Sequence, residues 1–187
     1  AGDSVGGTFQ IRATGVMPGL GSQVQWDRRL DARLAFAVMS IPAIKGVEIG
    51  AGFEGASRWG SKLHDPIERT GGAWPFARSS NNAGGIEGGI SNGETIVIDA
   101  AMKPIPTLQR PLGSVDLDDL SETDAHAERS DTCAVPAASV VGEAVVCIEL
   151  AKAVMDKFGG DCIDDVVGAV DSYQESLQRL WEEQERG

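Results

Sequence analysis

The chain has 187 residues, of which 42% are hydrophobic and 5% aromatic, and its formal net charge at pH 7 is −12. This length suits a single domain, and the apolar fraction is large enough for a core built mainly from aliphatic side chains. The negative charge argues against DNA and anionic membranes as principal partners, although a local group of arginines can still bind an anionic small molecule.

The three cysteines, Cys133, Cys147 and Cys162, are widely spaced and form no CxxC motif. Such a set favours a reducing cytoplasm over a disulfide framework. The longest apolar stretch, residues 134–148, is interrupted by Glu143 and is shorter than the roughly 20 residues that span a bilayer. We recognise no signal peptide, and because the opening AGDS is not a natural translation start, we expect a fragment that lacks its N-terminal part.

The first half of the chain is predicted to contain two strands, one helix and a long loop. Apolar and polar residues alternate over residues 8–16, which predicts a strand. Residues 27–40 carry a helical apolar stripe, and the helix must end before Pro42. Residues 45–53 indicate a second strand. The polar segment 60–80 contains proline and glycine and is predicted to be a long surface loop.

Residues 81–93, NNAGGIEGGISNG, contain five glycines. Glycine is favoured where φ is positive or where another group approaches closely. The run therefore predicts either a cradle for a flat or phosphorylated ligand or a ligand-free bulge and hairpin. Within it, Asn92-Gly93 predicts a type I′ hairpin turn. Residues 94–102 then indicate a strand whose apolar face is formed by Ile96, Ile98, Ala100 and Met102.

The second half is predicted to be mainly helical. The segment KPIPT at 103–107 contains two prolines and cannot be a central strand. Residues 116–128 are acidic and indicate a loop or an edge hairpin. Residues 137–158 are apolar nearly all round, which predicts a buried helix, and residues 163–183 predict a more amphipathic one. Together these elements indicate an α+β fold.

Five segments, taken in order, resemble the chorismate synthase family. They are GG at 6–7 with GLGS at 19–22, MSIPAIKGVEIG at 39–50, the glycine run at 81–93, AMKPIPT at 101–107 and RSDTCAVP at 129–136. Their order and their spread over nearly the whole chain make the resemblance specific. The resemblance covers only the C-terminal half of the family's protein. The family's other half carries two functional histidines and most of the substrate-binding arginines.

The resemblance implies a lyase that removes phosphate from 5-enolpyruvylshikimate 3-phosphate by a 1,4-anti elimination and so forms chorismate. It implies a requirement for reduced FMN, with NADPH as one candidate reductant. The implied fold is a β-α-β sandwich with antiparallel sheets flanking central helices, assembled as a cytoplasmic homotetramer. In that fold the helix at 137–158 belongs to the middle layer, and we expect the fragment alone to be inactive.

The resemblance also implies a set of site residues. The implied FMN contacts are Pro42, Ala43, Gly88, Lys103, Pro104, Ile105, Pro106, Thr107 and Arg129. Arg129 is also the implied substrate-binding residue, and Asp131 matches the family's aspartate near flavin N5 and is the implied catalytic, proton-handling group. Two positions depart from the family pattern. Pro106 replaces a serine or threonine and so lacks a donor, and Ser130 replaces a histidine and cannot titrate near neutral pH.

Several of the implied residues also have a simpler interpretation. Pro42 can simply end a helix, Gly88 can occupy a bulge, Arg129 can form a surface ion pair and Asp131 can cap a helix. Three further residues are interpreted as surface groups: Lys45, His64 and His126. No histidine or cysteine set has the spacing of a metal site, so no metal is predicted. The alternative function is a non-catalytic FMN-binding or oligomerisation module.

Overall fold

The computed structural model describes residues 2–70, 75–127 and 131–185. Its strands are β1 (Gly7–Ala13), β2 (Ile44–Ile49), β3 (Ile67–Arg69), β4 (Phe76–Arg78), β5 (Ile86–Glu87), β6 (Ile90–Ser91), β7 (Ile96–Met102), β8 (Gly113–Val115) and β9 (Glu122–Asp124). Its helices are α1 (Leu30–Met39), α2 (Gly52–Gly55), α3 (Gly60–Leu63), α4 (Val135–Phe158) and α5 (Ile163–Glu185).

The main sheet has three antiparallel strands in the order β1-β7-β2, so β7 lies in the middle. Met102, the last residue of β7, is paired with Gly7 on one side and with Ile44 on the other. A bulge at Lys45 shifts the register between Ile44 and Gly46. Because both neighbours run antiparallel to β7, the end of β7 and the starts of β1 and β2 lie at one edge of the sheet.

The hydrophobic core lies between this sheet and two helices. Ile96 and Ile98 are fully buried and Ala100 is 1% exposed, which confirms the predicted apolar face of β7. Helices α1 and α4 pack against that face, since α1 contacts β2, β7 and α4, while α4 contacts β1. The buried residues that these helices add to the core are Leu30, Leu34, Val38, Val146 and Ala153.

The first half of the chain follows the prediction with shorter elements. β1 ends at Ala13, and α1 begins at Leu30 after a short 3-10 turn. The predicted long loop at 60–80 is wrong in part, because α3 and the antiparallel pair β3–β4 lie within its described residues. β3 and β4 are three residues long with no buried side chain, so they lack the alternation that identifies a half-buried strand.

The glycine run forms a hairpin, but its turn is not where the sequence predicted it. β5 pairs with β6, which places Gly88 and Gly89 in the two-residue turn with φ of +61° and +83°. Positive φ at both central positions is the requirement of a type I′ turn. The prediction of the turn at Asn92-Gly93 is therefore wrong. The Asn92 side chain instead accepts a hydrogen bond from Glu94 N–H (3.0 Å).

α4 buries only one of its faces, although its sequence is apolar nearly all round. Its buried residues are Ala138, Gly142, Val146 and Ala153. On the opposite side, Val140 is 66% exposed and Ile148 is 53% exposed. The prediction that the whole helix is buried is therefore wrong for this chain, which supplies a sheet on one side of α4 and leaves the other side open.

The rest of the second half agrees with the prediction. Residues 103–107 form no strand, β8 and β9 form a hairpin in the acidic region, and α5 follows α4. Antiparallel sheets with separate helices confirm the α+β class. Within the described ranges, no helix is both long and apolar enough to cross a membrane.

Candidate site at the edge of the main sheet

The edge of the sheet at Met102 brings together two of the segments predicted to contact a ligand. Lys103 follows β7, and Ala43 precedes β2. The Lys103 N–H donates a hydrogen bond to the Ala43 carbonyl oxygen at 2.9 Å, one residue beyond the strand ladder. The helix-to-strand turn and the proline loop are therefore adjacent because of the strand register.

Ala43 has an unusual backbone conformation. Its φ is +67°, and Leu120 is the only other non-glycine residue with positive φ in the described part of the chain. The turn between α1 and β2 is closed by the Ile44 N–H, which donates to the Ile41 carbonyl oxygen at 3.1 Å. A left-handed alanine costs roughly 1–2 kcal/mol, and such outliers concentrate at functional sites. The strain at Ala43 thus independently marks this edge as a candidate site.

The N-terminal segment joins the proline loop to the residues that precede α4. The Ser4 hydroxyl donates to the Ile105 carbonyl oxygen at 2.6 Å, and Val5 N–H donates to the Thr132 carbonyl oxygen at 2.8 Å. A Cβ on Gly6 would lie 2.2 Å from the Met102 carbonyl oxygen, so only glycine allows this approach. The glycine pair at 6–7 is the one local signal of this contact in the sequence, and no pattern marks Ser4.

The predicted side chains at this edge are largely open to solvent. Lys103, Pro104 and Pro106 are exposed, and Ile105 and Thr107 are half-buried. On the turn, Pro42 is exposed and Ala43 is half-buried. The loop therefore presents one cation, two rigid prolines and backbone carbonyl groups.

The start of α4 lies at the same edge. A Cβ on Gly7 would lie 3.2 Å from Val135 Cγ2 in the first turn of this helix, so the positive end of the helix dipole is nearby. Asp131 precedes the helix and is exposed, with no hydrogen bond or ion pair to the described residues. The predicted positions Arg129 and Ser130 lie outside the described residues.

Gly88 lies at the other end of the sheet layer. The carbonyl oxygen of its neighbour Gly89 accepts a hydrogen bond from Leu30 N–H at 2.9 Å, which places the hairpin beside the first turn of α1. Ala43 follows the last turn of the same helix, whose ten residues span about 15 Å. Gly88 is exposed, and a Cβ there would meet no atom within 4 Å. The structure therefore does not bring Gly88 to the Ala43–Lys103 contact.

Asp65 anchors the start of the glycine run, a role that sequence reasoning missed. Its carboxylate accepts hydrogen bonds from Ser80 Oγ (2.5 Å), Asn82 N–H (2.8 Å), Asn82 Nδ2 (2.9 Å) and Ala83 N–H (2.8 Å). Burial of Asp65 opposes ionisation, but these hydrogen bonds outweigh it and lower the pKa of the carboxyl. The residue lies in the predicted loop at 60–80, where nothing in the local pattern marked it.

The three residues interpreted as surface groups are all exposed. Lys45 is exposed in the bulge of β2, His64 is exposed at the end of α3, and His126 is exposed after β9. In the part of the chain that the structure describes, no three His, Cys, Asp or Glu side chains are grouped to hold a metal ion.

Because the backbone of Ala43 is left-handed, replacing alanine by glycine should stabilise the protein at position 43 but destabilise it at position 144 in a regular helix. Ala43→Gly should raise the free energy of unfolding by up to about 1 kcal/mol, and Ala43→Val should lower it by about 1–2 kcal/mol. Ala144→Gly, at an exposed position within α4, should instead lower it by about 0.5–1 kcal/mol. Urea denaturation measures all three, and equal losses for the two glycine variants would contradict the strained conformation.

The lowered pKa of Asp65 predicts a pH-dependent contribution to stability. Because the folded-state pKa lies below the unfolded value of about 3.9, the contribution is present above that pH and is lost as pH falls through the folded-state pKa. At pH 7, Asp65→Asn should lower the free energy of unfolding by about 1.5–3 kcal/mol. The exposed control Asp161→Asn should have little effect, and a loss for Asp65→Asn that is independent of pH would refute the assignment.

Comparison with known proteins identifies the same family as the five sequence segments. Residues 1–155 match the family model described as chorismate synthase. The chain is 61% identical over 184 residues to the chorismate synthase of Geobacter sulfurreducens and 59% identical over 179 residues to that of Desulforudis audaxviator. These alignments cover 95% and 96% of this chain but only 47% and 45% of the relatives.

A solved structure agrees as well. A crystal structure of chorismate synthase superposes with a TM-score of 0.79 at 48% identity, over 95% of this chain and 45% of that one. The chain thus spans about half the length of the curated relatives it matches. On the family model, the identities and the shared fold, the chain belongs to the chorismate synthase family.

Proposed function

We propose that the complete protein containing this chain is a chorismate synthase. It converts 5-enolpyruvylshikimate 3-phosphate to chorismate by an FMN-dependent 1,4-anti elimination of phosphate. The observation that carries the proposal is the convergence of the Ala43 turn, the Lys103 loop and the Asp131–Thr132 segment at one edge of the sheet. These are three of the segments that the family resemblance implies for the site, and they are far apart in sequence.

The chemistry of this edge suits a reduced flavin. When bound, reduced FMN supplies electron density to the departing allylic system and recovers it afterwards. Ala43 has a small side chain and a left-handed backbone, and two prolines stiffen the loop at 103–107, which suits close contact of these backbones with a flat ring system. Lys103 is exposed and supplies a cation for a phosphate or a flavin oxygen. The N-terminal end of α4 adds the positive end of its helix dipole at the same edge.

The chain's own residues have distinct proposed roles. Lys103 binds and orients an anionic group, and the prolines at 104 and 106 limit the loop's freedom so that little entropy is lost on binding. Asp131 is exposed and directly precedes Thr132, which the N-terminal segment links to this loop. It is suited to hold or transfer a proton at the flavin N5 position that the family resemblance implies. Arg129, two residues earlier, has a guanidinium group suited to bidentate binding of phosphate or carboxylate.

The proposed contact at Gly88 requires an extended ligand or a second copy of the chain. The hairpin tip and the Lys103 loop are separated by about the 15 Å length of α1. FMN is elongated, with a fused ring system at one end and a phosphate at the other. The positive φ of Gly88 is already explained by the hairpin turn, so its role in flavin binding remains a proposal from the resemblance.

Two features support the proposal that this chain is inactive by itself. Its net charge is −12, while the proposed substrate is strongly anionic, so most of the capturing cations must come from elsewhere in the protein. The outer face of α4 is also apolar and exposed, with Val140, Val141, Ile148 and Met155 each at least 47% exposed. We propose that the remainder of the protein covers this face, which places α4 in the middle layer of a β-α-β sandwich.

The remaining proposals extend from the family assignment. They are a homotetrameric assembly, a cytoplasmic location, and NADPH as one source of electrons for the flavin. The alternative is a non-catalytic FMN-binding or oligomerisation module. It predicts a different result, because the complete protein would then form no chorismate even if it bound flavin.

Turnover in the complete protein tests the proposed role of Asp131. With reduced FMN under anaerobic conditions, Asp131→Asn should lower the rate of chorismate formation by about 10²–10⁴-fold, the usual contribution of a positioned acid–base group. Arg129→Ala should also lower it strongly, because an anion contact is lost. Chorismate absorbance measures the rate, and circular dichroism checks that both variants are folded.

The matched control is Asp124→Asn, which makes the same charge change at an exposed residue of β9. It should turn over at the wild-type rate. Wild-type rates for both Asp131→Asn and Arg129→Ala would remove these residues from the site. A complete protein that binds FMN but forms no chorismate would favour the binding-module alternative.

A further inference from the structure

A small polar cavity lies at the end of the sheet opposite Lys103. It has a volume of about 110 Å³ and is enclosed by the loop after β1, the start of α1 and the last turns of α4. Four of its lining side chains can donate hydrogen bonds, and only one is an anion. The donors are Ser22, Arg28, Arg33 and Lys157, and the anion is Asp156.

Much of the donor capacity around this cavity is unused. The Arg28 side chain makes no hydrogen bond or ion pair with any residue the structure describes. Arg33 donates from Nε to Glu149 (3.2 Å) and from Nη1 to Asp156 (2.6 Å), which leaves its Nη2 group. Lys157 Nζ donates to the Gly19 carbonyl oxygen at 3.0 Å, so two of its three N–H groups remain.

The local charge is opposite to that of the whole chain. Three cations and one carboxylate line the cavity, which gives a local charge of +2 in a chain with a net charge of −12. A concentration of positive charge within a concave surface attracts anions more strongly than the same charges on a flat one. The carboxylates of Asp156 and Glu149 both pair with Arg33 and offset its charge, so Arg28 and Lys157 supply the positive excess.

The walls of the cavity are held by contacts that need no ligand. The Tyr173 hydroxyl donates to the Pro18 carbonyl oxygen at 3.2 Å, and the Lys157 ammonium lies 4.3 Å from the centroid of the Tyr173 ring. Gly19 N–H donates to the Ser91 carbonyl oxygen at 2.8 Å. Lys157 and Arg33 are therefore positioned before any ligand arrives, which reduces the entropy cost of binding.

We propose that this cavity binds a phosphate-sized oxyanion, either inorganic phosphate or the phosphoryl group of a small metabolite. Arg28 and the Nη2 group of Arg33 would donate from two sides, Lys157 from a third, and the Ser22 hydroxyl would complete the set. A tetrahedral anion matches both the volume and the excess of donors. The site involves none of the residues proposed to contact flavin.

Calorimetric titration of the complete protein with sodium phosphate tests the proposal. The protein is free of flavin and substrate, and chloride keeps the ionic strength constant. Arg28→Gln should weaken phosphate binding about tenfold, the equivalent of one charge-assisted hydrogen bond. Asp156→Asn should strengthen binding several-fold, because the competing carboxylate is removed. The control Arg12→Gln, at an exposed position of β1, should leave binding unchanged.

The contrast between Arg28→Gln and Arg12→Gln, which remove the same charge at different places, separates a specific site from general attraction. No saturable binding, or equal effects of Arg28→Gln and Arg12→Gln, would overturn the proposal. A parallel titration with glycerol phosphate identifies the source of the anion: equal affinity indicates the phosphoryl group of a metabolite, and much weaker binding indicates the free ion. Because this titration contains no flavin, the absence of phosphate binding would not contradict the proposed lyase activity.

Discussion

The antiparallel register of β7 between β1 and β2 is the constraint on which the candidate site depends. Gly7 and Ile44 are both paired with Met102, so the residues before β1, before β2 and after β7 must meet at one edge. The hydrogen bond from Lys103 N–H to the Ala43 carbonyl oxygen continues this ladder by one step. The site is thus assembled by main-chain pairing, which leaves its side chains available for a ligand.

The two ends of the sheet have different chemistry. At the Lys103 edge, stiff loops present backbone groups and the exposed Lys103, with Lys45 nearby in the bulge of β2. At the other end, the glycine hairpin and the loop after β1 are joined by the antiparallel bridge between Gly21 and Ile90, beside the cavity lined by Arg28 and Lys157. Exposed cations thus lie at both ends of the sheet, which suits an anionic ligand at each, and α1 determines the distance between the two ends.

The sequence predicted the elements whose signals are local. Alternation identified β1 and β7, and Pro42 located the end of α1. The turn at Gly88-Gly89 was misplaced because two glycine turn signals lie four residues apart and the local pattern does not rank them. The exposed face of α4 could not be predicted. When a helix is apolar all round, its sequence does not distinguish the face that packs on this chain's sheet from the face that stays exposed. Ser4 and Ile105 are 101 residues apart, so the resemblance, rather than local pattern, predicted the site segments.

A crystal structure of the complete protein with bound FMN tests the central claim most directly. We expect flavin atoms in contact with the backbone of Ala43 and of residues 103–105, at the edge where the ends of β1, β2 and β7 meet. The Ala43 carbonyl should still accept the Lys103 N–H, because strand register, rather than the ligand, brings these segments together. Flavin bound elsewhere, with this edge open to solvent, would contradict the account.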